Sequence, residues 1–152
     1  MEILGLAVVV VLLLVATTFV VRFLLFKPPA DVRKGFVVSQ LAKNMVDTFL
    51  NTAAVGCSQL TMTELLQDCA ESKTVSCDDG RKSCDFVDFT AKFIFNETLN
   101  KWNMRYQFLA YVDAKNPLIK IGEECKGQKL SSNPWAIPIR TGNMYAILDL
   151  CG

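Results

Sequence analysis

From Ile3 to Phe26 the chain reads ILGLAVVVVLLLVATTFVVRFLLF, and Arg22 is the only charge in it. As a helix this run is roughly 36 Å long at ~1.5 Å per residue, enough to cross a ~30 Å hydrocarbon core with some tilt. A core helix in a chain of 152 residues is rarely so long or so apolar on every side. Its β-branched residues count against a helix in water, but where no water reaches the backbone a helix satisfies every peptide group internally. The run therefore calls for lipid or for a bundle of its own kind. A cleaved signal peptide fits least, because Met1-Glu2 is not a basic start and the apolar run is too long. A single-pass anchor and the hydrophobic spine of a filament subunit both fit.

Composition outside this run sets the compartment. Without Arg22, Lys27 and Glu2, the chain's 16 basic and 15 acidic residues leave 14 of each for residues 31–152, a balance with no electrostatic footprint for nucleic acid. All 6 cysteines lie there: Cys57, Cys69, Cys77, Cys84, Cys125 and Cys151. An even set in a small domain reads as an oxidised, extracytoplasmic head with up to three disulfides. Zinc is the rival, but the chain has no histidine and no C-x-x-C pair. Intracellular disulfide-rich proteins of hyperthermophiles are a second exception. Arg22, Lys27, Arg33 and Lys34 all follow the apolar run, which by the positive-inside rule would hold the head in the cytoplasm. Six thiols outweigh four basic residues, so the head is expected outside. Nearest-neighbour pairing is the expectation for the bridges: Cys57 with Cys69, Cys77 with Cys84, and Cys125 with Cys151.

Lys27-Pro28-Pro29 ends or kinks the first helix. Asp31 then caps a second, in which Val37, Val38, Leu41, Met45, Val46, Phe49 and Leu50 form one stripe at helical spacing. An apolar half and an amphipathic half joined at a proline break resemble the long N-terminal helix of type IV pilins and related archaeal surface filaments. The resemblance covers the first third of the chain. It implies that the apolar half packs in a filament centre while the amphipathic half supports a globular head. Gly5 stands at the fifth position, where that family usually has a glutamate, and the acid here is Glu2. The residues assigned to assembly are Glu2, Leu4, Leu6, Val11, Leu14, Pro28 and Pro29.

After Cys57, Thr61 and Glu64 form the pattern of a capping box and start a short helix with Leu65 and Leu66 inward. Residues 71–84 are polar and turn-rich. There Asp78-Asp79-Gly80 reads as a plain turn rather than a cation loop, which needs more spaced oxygen ligands. Asp85 is expected to cap a helix to about Lys101 with Phe86, Phe89, Phe93 and Leu99 as its core stripe. Asn96-Glu97-Thr98 is an N-glycosylation sequon, in agreement with export. From Met104 the period becomes two, with Tyr106, Phe108 and Ala110 on one face of a strand. Leu118 to Ile121 returns, Glu123-Glu124 is a solvated strand end, and Pro138 confines the strand Trp135 to Arg140 to an edge. Thr141-Gly142-Asn143 turns into a buried strand, Met144 to Leu150.

The expected fold is thus α+β: a long N-terminal hydrophobic and amphipathic helix, then a disulfide-stapled head with two short helices and about four antiparallel strands. Residues 1–27 are the transmembrane or filament-core helix, 28–54 the proline-kinked amphipathic helix, and 55–152 the head. No Ser-His or Cys-His pair is possible without histidine, and G-x-S-x-G, Walker and G-x-G-x-x-G motifs are missing. The chain is read as a structural protein, not an enzyme, with no cofactor, no catalytic residue and no metal site. Its expected partners are copies of itself in a helical polymer and the membrane before assembly. A monomeric, membrane-anchored extracytoplasmic binding module is the alternative.

Overall fold

The computed structural model describes the backbone of residues 2–25 and 30–151, and within it all side chains except those of 2–4, 6, 23–25 and 30–34. The chain divides into two compact units, Met1–Lys34 and Gly35–Gly152. In the first, α1 (Glu2–Leu25) is a helix of 24 residues. Among the described residues no helix is long and apolar enough to cross a membrane. A transmembrane role for 1–27 is therefore not a finding of the structure. The Lys27-Pro28-Pro29 break lies outside the described residues.

The division between the units falls inside α2 (Ala30–Asn51), so residues 35–51 belong to the head that the sequence reading began at 55. Ala42, Val46, Phe49 and Leu50 are buried, and Leu41 and Met45 pack beside them. The inward stripe is shorter than expected, because Val37 is 64% exposed. Next comes α3 (Met62–Glu71), started by the expected capping box: the Glu64 N–H donates to Thr61 Oγ1, and the Thr61 N–H donates to the Glu64 carboxylate. Met62, Leu65, Leu66 and Cys69 form its buried face.

Two expectations for the following helix fail. α4 (Ser83–Phe95) begins two residues before Asp85, which sits in its first turn and is not the cap. Its core face is Phe86, Val87, Ala91 and Phe95, whereas Phe89 and Phe93 are 53% and 62% exposed. Both stripes have helical spacing, and periodicity alone does not say which one meets the sheet. Val87, Ala91, Phe95 and Leu99 recur every fourth residue, slightly more than the 3.6 of an α-helix. A π-helical turn, Asn96–Asn100, follows at that point, and its wider i→i+5 bonding brings Leu99 in with no exposure.

Five antiparallel strands complete the head: β1 (Tyr106–Tyr111), β2 (Ile119–Gly122), β3 (Lys129–Ser131), β4 (Trp135–Ile139) and β5 (Gly142–Cys151). Their order is β2-β1-β5-β3, with β4 also on β5. β1 pairs with 145–150 along one edge of β5, and the other edge takes β3 at 149–151 and β4 at 142–146. The fifth strand, β3, is one more than the four or so expected from the sequence. Ser132, 2% exposed, closes the gap between β3 and β4: its N–H donates to the Leu148 carbonyl at 2.8 Å and its Oγ accepts the Leu148 N–H at 2.9 Å. Pro138 does sit on the edge strand, and the Gln67 amide of α3 donates to its carbonyl.

One face of the sheet carries Phe108, Ala110, Ile119, Ile121, Ile137, Leu148 and Leu150, all buried. The rings of Phe49, Phe95 and Phe108 meet there with centroids 5.3 to 5.6 Å apart, tying α2, α4 and β1 together. On the other face the expected alternation is broken by Gln107 and its cross-strand partner Asp149, both buried, with Lys129 Nζ at 3.9 Å from Asp149 Oδ2. Phe95→Ala should cost about 3–5 kcal/mol in urea unfolding followed by tryptophan fluorescence, through lost burial and the cavity left behind. Phe93→Ala should stay within about 0.5 kcal/mol of wild type, as surface changes do. The opposite order would mean that the stripe Phe86, Phe89, Phe93 faces the core.

Candidate functional site

Two features carry the chemistry of this chain: the lateral surface of α1 and the stapled entrance of the head. On α1 every position from Val8 to Val15 is exposed, so apolar side chains point in all directions around the helix. Of the residues assigned to assembly, Val11 and Leu14 lie in this surface at 57% and 61% exposure. Glu2, Leu4 and Leu6 belong to α1 by their backbone, and Pro28 and Pro29 lie outside the described residues. The only polar side chains between Val8 and Val21 are Thr17 and Thr18. Their hydroxyls donate to the carbonyls of Leu14 and Val15 at 3.0 and 2.8 Å. Back-bonding of this kind hides both donors in the helix itself. The surface from Val8 to Val21 thus presents no unsatisfied side-chain donor to whatever covers it.

In the head, three disulfides join Cys57 to Cys77, Cys69 to Cys84, and Cys125 to Cys151. The last pairing is the expected one, and the first two correct the nearest-neighbour expectation. Between Met62 and Cys69 the chain climbs about 10 Å as helix α3, whereas bridged Cα atoms must lie within about 7 Å. Cys57, in the turn before α3, lies away from Cys69 at the far end of that helix and is bridged to the turn at 77–80 instead. There Gly80, at φ +82°, donates its N–H to the Cys77 carbonyl, and the Asp78 N–H donates to the Gly56 carbonyl. Cys69, at the far end of α3, meets Cys84 at the start of α4. Three disulfides indicate an oxidising, extracytoplasmic environment.

Asp68, beside Cys69, gathers the same elements without a covalent bond. Its carboxylate accepts from Ser72 Oγ at 2.7 Å, Thr74 Oγ1 at 2.9 Å, the Val75 N–H at 3.1 Å and Ser83 Oγ at 2.6 Å. Burial pushes this carboxyl up, but the bonds from Ser83, Ser72, Val75 and Thr74 outweigh it and hold it well below the usual carboxylate range. Nothing in the amino-acid pattern marks this hub beyond the polar, turn-rich residues of 71–84. They are its donors: the return segment 72–75 and the first residue of α4 are folded onto one carboxylate.

The remaining sequence candidates stay apart from these features. Asp78-Asp79-Gly80 is a turn in which the Asp79 carboxylate accepts the Arg81 N–H and pairs with its guanidinium. Among the described residues no group of three His, Cys, Asp or Glu is placed to hold a metal ion. Arg81 also lies 3.6 Å over the exposed ring of Phe89. Glu123 and Glu124 are exposed past β2, and Asn96 is exposed at the start of the π-helical turn.

Peptide mapping without reduction should recover the Cys57–Cys77 and Cys69–Cys84 crosslinks, and a Cys57–Cys69 peptide would contradict the placement of α3 between them. Asp68→Ala should destabilise the head by about 2–3 kcal/mol, the value of charged hydrogen bonds left unmade. Because its folded pKa is lowered, the Asp68 contribution is complete above the ordinary value of 3.8 and fades as pH falls below it. In thermal melts the gap between wild type and Asp68→Asn should therefore narrow as pH falls below 3.8. A gap that widens in acid would reverse the sign assigned to this carboxylate.

Compared with known proteins, the chain matches no family model, no curated protein and no solved structure.

Proposed function

We propose that the protein is a structural subunit of an extracellular pilus-like filament, which polymerises through its N-terminal apolar helix and displays the stapled head on the outside. One observation carries this reading. The described surface of α1 is apolar around its whole circumference from Val8 to Val21, with both threonine hydroxyls turned into the helix. Identical helices can pack against such a surface from any side without stranding a polar group. The head adds what a surface filament needs, a fold held by covalent bridges in an oxidising compartment. Before assembly the same helix would rest in the membrane. Glu2 lies at the start of α1, where the helix dipole favours an anion.

Electron microscopy of cells making the protein tests the proposal. Wild type should form filaments, and Val11→Glu should abolish them, because an unpaired carboxylate buried in every subunit costs several kcal/mol each time. Glu2→Ala should weaken assembly more mildly. A lone membrane anchor would tolerate Val11→Glu, since one carboxylate at mid-membrane costs ~2.5–3.5 kcal/mol on insertion scales. Cells without filaments, with the protein retained in membranes, would identify the monomeric anchored binding module instead.

A further inference from the structure

The sequon Asn96-Glu97-Thr98 and a cleft in the head fall at the same place. Asn96 and Asn100, the two ends of the π-helical turn, stand four residues apart, while Leu99 between them is buried. Asn100 Nδ2 donates to Asn96 Oδ1 at 2.8 Å. That bond fixes the Asn96 amide by its oxygen and leaves Nδ2, the nitrogen a glycan would occupy, directed elsewhere. Asn96 and Asn100 form one wall of a cleft of about 310 Å³, which Met104, Arg105, Tyr106, Gly122 and Glu123 complete. Gly122 makes the far wall possible. At φ +83°, a Cβ on it would stand 2.1 Å from the Tyr106 carbonyl, which already accepts the Glu123 N–H at 3.0 Å.

We propose that Asn96 carries an N-linked glycan and that this cleft seats its first sugar. The volume lies at the lower end of the ~300–1,000 Å³ of small-molecule sites, the scale of one ring rather than a chain of them. Its chemistry is that of a sugar's surroundings. The Arg105 guanidinium donates and the Glu123 carboxylate accepts, while Met104 and the half-buried Tyr106 offer apolar surface to the C–H side of the ring. Among the described residues neither Arg105 nor Glu123 takes part in an ion pair. Both keep their hydrogen-bonding capacity for hydroxyl groups.

The modification takes a polyprenyl phosphate- or pyrophosphate-linked oligosaccharide as donor. A bond forms between Asn96 Nδ2 and the sugar's C1, the C1–O bond to the lipid phosphate breaks, and the displaced Nδ2 proton leaves with the departing phosphate. It precedes folding of this segment. In the folded head Asn96 is helical and Thr98 Oγ1 donates to the Ile94 carbonyl at 2.7 Å, so the sequon hydroxyl is already engaged.

The test uses full-length protein isolated from its native source, and it is independent of whether filaments form. Peptide mass spectrometry should find Asn96 heavier by a series of sugar residues. The addition should be absent in Asn96→Gln and Thr98→Ala and present in Thr98→Ser. An unmodified Asn96 in the native protein overturns the proposal. The cleft is tested by melting temperature: the glycosylated protein should melt ~3–5 °C above Asn96→Gln, the shift expected of under about 1 kcal/mol in a domain of this size. In an Arg105→Ala/Glu123→Ala background that gap should fall by more than half while occupancy of Asn96 stays the same. An undiminished gap would show a glycan that is attached but not seated.

Discussion

The ring of Phe95 is the point at which the elements of the head meet. It lies 5.5 Å from Phe49 of α2, 5.3 Å from Phe108 of β1 and 5.5 Å from Tyr106, and it has no exposure of its own. Through Phe49 it holds the amphipathic helix to the sheet. Through Phe108 it sets which face of β1 turns inward, and the cross-strand partners of Phe108, Ile121 and Leu148, follow. Aromatic contacts of this geometry add about 0.5–1.5 kcal/mol beyond the area they bury. The π-helical turn follows directly after Phe95, and Leu99 within it, four residues on, joins the same buried face.

The α+β order was legible where one local rule acts alone. Thr61 and Glu64 fix the start of α3, the period of two fixes β1, and Pro138 fixes an edge. Legibility failed where a choice depends on distant partners. Phe89 and Phe93 keep helical spacing as well as Val87, Ala91 and Phe95 do, and only the sheet decides between the two faces. β3 was hidden because three residues between Gly127 and Pro134 have no period of their own, and they are a strand only because β5 offers an edge. The Asp68 hub was invisible for a related reason: Ser72, Thr74 and Ser83 look like solvent-loving loop residues until a carboxylate on another element collects them. As to the candidate site, the apolar surface of α1 could be read directly from composition. The inward turn of Thr17 and Thr18 could not, because it depends on which way each hydroxyl rotates about its own helix.

The two units meet water in opposite ways. The head buries an apolar core on one face of its sheet while leaving residues such as Phe89 and Phe93 exposed, gathers polar groups on the Asp68 carboxylate, and adds bridges that each contribute about 2–4 kcal/mol by restricting the unfolded chain. The described surface of α1 encloses nothing, and from Val8 to Val21 it has little but hydrocarbon to show. An apolar surface of this kind is stabilised by whatever removes it from water, whereas the core of the head is supplied by its own sequence.

The bridges Cys57–Cys77 and Cys69–Cys84 overlap along the chain, so neither lies inside the other. Every peptide bond between 57 and 84 is therefore spanned by at least one of them, and those between 69 and 77 by both. A protease that cuts once anywhere in this stretch, including the exposed residues 72–74 and the turn at 78–80, opens the backbone without releasing a piece. Had the bridges been consecutive, a cut between 69 and 77 would have parted the head into fragments. In an oxidising, extracytoplasmic environment, overlapping staples keep the pieces of a nicked head joined.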